Sequence, residues 1–191
     1  MNIKLLNDLM KKALFIILFA IFNTGSLIAD DKDIKLNNLF NDLKVNNATL
    51  SYQAEQKIWK LWSTHSSDEK LTAMLTEGSN LVNKQMLDEA IIVFSKVIEL
   101  DPKWAEAWNK RATVLYMVGQ FQKSQNDIDK VLELEERHFG ALAGQGLVNI
   151  QLENYEKAIM SYQKVQLIYP SMRSPKIMIK QINELIKRQS I

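Results

Sequence analysis

Residues Leu71 to Met172 can be written as three ungapped rows of 34, Leu71 to Trp104, Ala105 to His138 and Phe139 to Met172, whose columns agree in size. A period of this length constrains the fold more than any other feature of the chain. One such unit makes a helical pair that cannot bury its own apolar face, so neighbouring units must stack. Small residues share columns: Ala73, Ala107 and Ala141; Gly78, Ala112 and Gly146; Ala90, Ser124 and Ala158. At such positions two helices can approach closely, because no bulky side chain separates them. Large apolar residues also share columns, among them Met74, Trp108 and Leu142; Leu87, Phe121 and Tyr155; Phe94, Ile128 and Tyr162; Val97, Val131 and Val165; and Leu100, Leu134 and Ile168.

Together with Pro102 and Pro170 at the close of the first and third rows, this pattern resembles the tetratricopeptide repeat. The resemblance implies an all-α fold, a right-handed superhelical stack of antiparallel helix pairs. We expect three full repeats over 68–172, an N-terminal helical hairpin over 30–67 and a C-terminal capping helix over 173–191. Turns within the pairs are expected near Asn83 to Met86, Gly119-Gln120 and Glu153-Asn154. Ser66 with Glu69 fits a capping box, and Asp101-Pro102 and Ser174-Pro175 fit an N-cap followed by proline in the first turn. Glu136 replaces the closing proline of the second row, so the following link is expected to be longer or more mobile.

The leading hairpin follows from Leu36, Leu39, Phe40 and Leu43, then, past Asn46-Asn47, from Ala54, Ile58, Leu61, Trp62 and His65. It does not align with the repeat columns. We read it as a divergent unit covering the open end of the stack, with the cluster of Ile58, Trp59, Leu61 and Trp62 as a docking surface the alternative. In the closing helix, Met178, Ile182, Leu185 and Ile186 share one face, which marks a cap for the third repeat.

Residues 1–29 read as a signal peptide. Lys4, Lys11 and Lys12 precede the apolar run Ala13 to Phe22, and Ala29 offers a small residue before the cut. Ten apolar residues fall well short of the roughly 20 that a spanning helix needs, which favours export to a bacterial periplasm over a retained inner-membrane anchor. Met10 is an alternative start. Cleavage removes three of 24 basic residues and Asp8 of 22 acidic ones, leaving 21 of each. A mature chain of zero net charge, with both signs interspersed, is a poor nucleic-acid partner. Without cysteine it needs no oxidative folding and carries no acylated-cysteine tether. A membrane partner is expected only if the signal segment is retained.

Signals for catalysis are absent from the sequence. His65 and His138 are the only histidines, no phosphate-binding glycine loop or nucleophile elbow occurs, and no cofactor or metal is implied. The resemblance instead implies a non-catalytic protein-interaction module whose concave groove, lined by the first helix of each repeat, takes a protein or peptide partner. By repeat position its lining would be Thr72, Leu75, Ser79 and Val82, then Glu106, Asn109, Thr113 and Tyr116, then Gly140, Ala143, Leu147 and Ile150, bordered by Lys110 and Gly144. Some members grip a C-terminal carboxylate with lysine and asparagine. Here Leu75, Ser79, Lys110, Gly140 and Gly144 stand in those places, a departure that suits a packed helix or hydrophobic segment better than an anionic terminus. The chain's own hairpin or closing helix is an alternative occupant. The stretches Trp108 to Thr113 and Arg137 to Leu142 are similar to exported bacterial tetratricopeptide proteins.

One column departs from the family's leucine habit: Glu77, Arg111 and Gln145 occupy its seventh place. Flanked by core-like columns, these residues are expected to form a ladder, Arg111 bonding Glu77 on one side and Gln145 on the other.

Overall fold

The computed structural model describes residues 31–45 and 47–189, so the signal-peptide reading of residues 1–29 lies outside the described residues. Among them the chain forms nine helices and no strand: α1 (Asp31–Lys44), α2 (Ala48–Ser63), α3 (Glu69–Asn83), α4 (Leu87–Leu100), α5 (Ala105–Met117), α6 (Phe121–Leu134), α7 (Phe139–Gln151), α8 (Tyr155–Ile168) and α9 (Ser174–Gln189). No helix among the described residues is long and apolar enough to cross a membrane. A compact unit runs from Leu36 onward. In the unit before it, the described residues form the opening turn of α1, where Lys35 pairs with Asp31.

Within the compact unit α3 packs on α4, α5 on α6 and α7 on α8, and each pair packs on the next. The pairs close because rings on one helix meet missing side chains on the other. A Cβ at Gly78 would lie 2.4 Å from the Phe94 ring, and one at Gly146 would lie 2.5 Å from the Tyr162 ring. In the middle repeat the same meeting is between Ala112 and Ile128, a larger residue against a smaller one, both buried.

All three turns within the pairs use one geometry. Gln85, Gly119 and Glu153, at the same place in their rows, have φ of 59°, 76° and 59°. The amide three residues past each helix end closes back on it, from Met86 to Leu81 O (2.9 Å), Gln120 to Leu115 O (2.8 Å) and Asn154 to Asn149 O (2.8 Å). This is the Schellman arrangement, which satisfies carbonyls that the helix leaves open and needs a left-handed residue. Only the middle turn has the glycine that adopts such a φ without strain.

Helix starts differ from the expected caps. Asp68, rather than Ser66, caps α3, accepting from the amides of Lys70 (2.8 Å) and Leu71 (3.3 Å), because a carboxylate at 68 reaches both open N–H groups directly. Asp101 does not cap α5, which begins at Ala105. It closes the turn ahead of the helix by accepting the amide of Lys103 at 2.9 Å. Nor is the link to the third repeat lengthened: α4 and α6 end at Leu100 and Leu134 and the next helices begin at Ala105 and Phe139. Where the first link has proline, the second has a side-chain clamp, Glu135 accepting the Arg137 amide (3.1 Å) and Nε (2.8 Å).

The hairpin corrects a larger expectation, since α1 and α2 do not cover the open end of the stack. Leu36, Phe40, Leu43, Ala54, Ile58 and Trp62 share a core with Phe139, Leu142, Val165 and Tyr169 of the third repeat. The core of the first repeat is closed instead by its own residues with Trp104, Ala107 and Val114. Its outer edge has turned polar: Ala73 is exposed while Ala107 and Ala141 are buried, and Glu77 and Asn80 stand where later rows bury Gln145, Val114 and Val148. That edge is solvated without a cap. At the other end α9 does cap, laying Ile182 on Ala158 and Tyr162, with Met178, Ile179 and Ile186 beside it.

The paired columns make a double-mutant test. Gly146→Ala should lower stability by about 1–3 kcal/mol through overpacking on Tyr162, and adding Tyr162→Ile, which copies the Ala112 and Ile128 pair, should recover most of the loss in thermal or denaturant melts. By the turn geometry, Glu153→Gly should raise stability by about 1 kcal/mol, read from the same melts.

Candidate interaction groove

The first helices of the repeats, α3, α5 and α7, carry the residues expected to line the groove, and the structure sorts them into three groups. Asn109, Thr113 and Tyr116 of α5 come together with Gly140, Gly144 and Leu147 of α7 around a cleft of about 80 Å³. Thr113 and Leu147 are exposed, Leu147 to 39%. Tyr116 is half-buried, its ring 5.5 Å from that of Phe121, and Asn109 is nearly buried. Floor and walls are apolar apart from Asn109, Thr113, Ser124 and the Tyr116 hydroxyl.

A second group belongs to the first repeat and does not line that cleft. Thr72 accepts the His65 amide at 2.9 Å, Ser79 donates to Leu75 O at 2.9 Å, and Val82 packs partly buried on the local core. Leu75 is 2% exposed and is core rather than lining, because the first repeat must bury it to hold Phe94 and Ala90.

The third group is covered by the chain itself. Ala143 lies between the hairpin core and the α8–α9 core, and Ile150 packs on the latter. Glu106 is buried at 1% exposure. Its carboxylate accepts from His138 Nε2 at 3.0 Å and Asn109 Nδ2 at 3.1 Å, and Lys110 Nζ lies 3.3 Å away. Burial alone would raise its pKa, but the hydrogen bond from His138, with the nearby Lys110 ammonium, holds it below the usual carboxylate range. His138 Nδ1 accepts the Ala141 amide at 3.1 Å, capping α7, so that nitrogen has no proton and Nε2 carries the one donated to Glu106. His65 repeats the device at the start of α3, Nδ1 accepting the Asp68 amide (2.9 Å) and Nε2 facing Asp101 (2.9 Å). Both histidines are structural, and among the described residues no cluster of three metal-ligating side chains occurs.

Trp59 and Trp62 set the boundary of the groove. A Cβ at Gly140 would lie 2.5 Å from the Trp59 ring, and Trp62 stacks on His138 with centroids 3.9 Å apart at 10°. Trp104 Nε1 donates to Trp62 O at 2.7 Å and Tyr169 donates to Glu55 at 3.0 Å, which pushes the Tyr169 pKa, already raised by burial, up to about 12. The hairpin cluster is thus docked on its own repeats, and the alternative of an exposed docking surface does not hold for Trp62, at 4% exposure. The self-filling alternative does describe the start of α7.

The expected ladder of Arg111 with Glu77 and Gln145 is not formed, and the polar side chains of this column bond elsewhere. Arg111 bonds Asp127 through Nε (2.7 Å) and Nη2 (2.8 Å) and Ser95 through Nη1 (3.0 Å), while Glu77 is exposed. Gln145 bonds Ser161 at 2.8 Å and Asp129 at 3.3 Å. Arg111 and Gln145 therefore each reach the second helices on either side, 16 residues ahead and 16 behind. The seventh place of a first helix faces the neighbouring second helices, which take up the side chain before it can meet its column neighbour. Gln125 extends the network, donating to Asp129 at 2.6 Å and accepting from Asn149 at 2.7 Å.

With this geometry in place, a family model for the tetratricopeptide repeat matches residues 71–103 and 140–172. The chain carries tetratricopeptide repeats. It is 28% identical over 123 residues to a TPR repeat-containing protein of Rhizobium etli, covering 64% of this chain and 59% of that one. Among solved structures, the first tetratricopeptide domain of Spaghetti, bound to an HSP90 peptide, superposes with a TM-score of 0.61 at 20% identity, covering 64% of this chain and 98% of that one. MamA superposes with a TM-score of 0.58 at 21% identity over 83% of this chain and 85% of its own. These structural likenesses establish the tetratricopeptide fold, including helical pairs beyond the two matched stretches.

The Arg111 bonds make a prediction. Arg111→Ala leaves the nearly buried Asp127 carboxylate unpaired and should cost on the order of 3 kcal/mol in denaturant melts, whereas Glu77→Ala should change stability by less than about 0.5 kcal/mol. Similar, small shifts for both would show the Arg111 pair to be solvated.

Proposed function

We propose that this protein is a non-catalytic adaptor of the bacterial periplasm that holds a partner's helix or hydrophobic segment across α5 and α7. The observation that carries the reading is the cleft between Tyr116 and Leu147, where apolar and aromatic surface stays open although the surrounding columns are packed. Support also comes from the Spaghetti domain, which has this fold and is bound to a peptide. The partner chemistry differs, since Gly140 and Gly144 provide no donors for an acidic terminus and Lys110 is engaged by Glu106. Export rests on the apolar run at 13–22, and the mass of the exported chain separates a cleaved signal from a retained anchor.

Aromatic residues at the centre of an interface commonly carry about 2 kcal/mol or more, so Tyr116→Ala should weaken partner capture from a crosslinked cell envelope by roughly 30-fold in affinity. Leu147→Lys, at an exposed position, should do the same with unchanged helicity and melting temperature. Undiminished capture by both variants would remove the partner from this cleft.

A further inference from the structure

The start of the groove is already filled. Trp59 and Trp62 lie three residues apart on α2, and α7 receives them with a seat made for rings: Gly140 has no side chain where Trp59 rests, and His138 offers its face to Trp62. Phe139 closes the seat, its ring edge-on to Trp59 at 5.3 Å. A helix presenting two aromatic residues on one face is what this surface recognises, and α2 is the copy the chain supplies.

The seam holding α2 is also costly for its area. Trp62 Nε1 is buried without a hydrogen-bond partner, and it lies beside the buried Glu106 carboxylate, whose Oε1 is met only by Lys110 Nζ at 3.3 Å; both groups touch His138. An unpartnered buried donor beside a buried charge opposes the aromatic packing, so the seam is weaker than its apolar content suggests. The hairpin is held there by contacts between segments distant in sequence, Glu55 of α2 with Tyr169 and Asn37 of α1 with Arg137, 114 and 100 residues apart.

From the groove reading above, and resting on it, we propose that α2 is a built-in occupant of the groove and that a partner helix with two aromatic residues three positions apart displaces it from the seat around Gly140. Displacement lengthens the open groove from the Tyr116 cleft to the start of α7. A partner without the aromatic pair is confined to the cleft.

Hydrogen exchange on the whole chain tests the release. Amides of α2 should exchange at least about tenfold faster than those of α5 and α7, and Gly140→Ala, whose Cβ would lie 2.5 Å from the Trp59 ring and 3.4 Å from His138 Cε1, should speed α2 further while leaving α5 and α8 unchanged. Exchange of α2 in step with α5 and α7, in both chains, overturns the proposal. The seat itself is probed with a fluorescein-labelled peptide of residues 48–66. It should bind the Trp59→Ala, Trp62→Ala chain at least about tenfold more tightly than the natural chain. An Asn37→Cys, Arg137→Cys chain joined by a bismaleimide should not bind it. Equal binding by all three also overturns the proposal, and if the double tryptophan variant loses helicity the exchange comparison decides alone. Partner capture by Leu147→Lys is read separately from peptide binding, so a failure of the seat is distinct from a failure of the cleft.

Discussion

Close approach between the two helices of a pair is the condition that the other features depend on. Gly78 under Phe94 and Gly146 under Tyr162 let a whole ring sit where a side chain would otherwise stand. The ring brings large apolar area into the core in one piece, and the glycine in the facing helix sacrifices about 1 kcal/mol of helix propensity to admit it. The middle repeat reaches the same spacing with Ala112 and Ile128, sharing the volume differently. Because the sum is kept, the helices stack in one register, and that register puts Arg111 and Gln145 within reach of the second helices on both sides.

A buried polar network in such a stack depends on every member being paired. Gln145 joins Ser161 to Asp129, Gln125 joins Asp129 to Asn149, and Arg111 joins Ser95 to Asp127. These bonds tie each pair to the one before it through side chains that discriminate register, which smooth apolar surfaces do not. The first repeat has no pair before it, and Glu77, exposed, has no such task.

How much the sequence shows depends on whether a feature is local to one repeat. Helix pairs, the small columns and the turns at Gln85, Gly119 and Glu153 repeat every 34 residues, and three rows give three readings of the same geometry. The rungs at Arg111 differ from the expected ones because residues that share a column look adjacent on paper, while in space that face of each first helix meets second helices. Asp127 and Ser161 share a column too, as do Ser95 and Asp129, and that matched polarity was the available signal. The destination of the hairpin was less accessible, since it rests on pairings with no period, such as Trp59 with Gly140. Of the expected lining, Leu75 and Glu106 were lost for different reasons: Leu75 to its own repeat's core, and Glu106 to a histidine a full row away.

That histidine also explains why the hairpin goes where it does. A repeat needs a cap only where its exposed face is apolar, and α3 has met that need by turning polar at Glu77 and Asn80. The hairpin is therefore not needed over the outer edge of the first repeat and can answer a different demand at the start of α7. There, Glu106 and His138 are a charge and a ring that water would otherwise reach, and their mutual bond strengthens as water leaves. Trp62 removes the water by lying flat on the imidazole, and the same imidazole holds the first turn of α7 through the Ala141 amide. Capping of the helix, burial of the carboxylate and docking of α2 thus share one side chain, and the start of α7 is the place where the groove and the hairpin constrain each other.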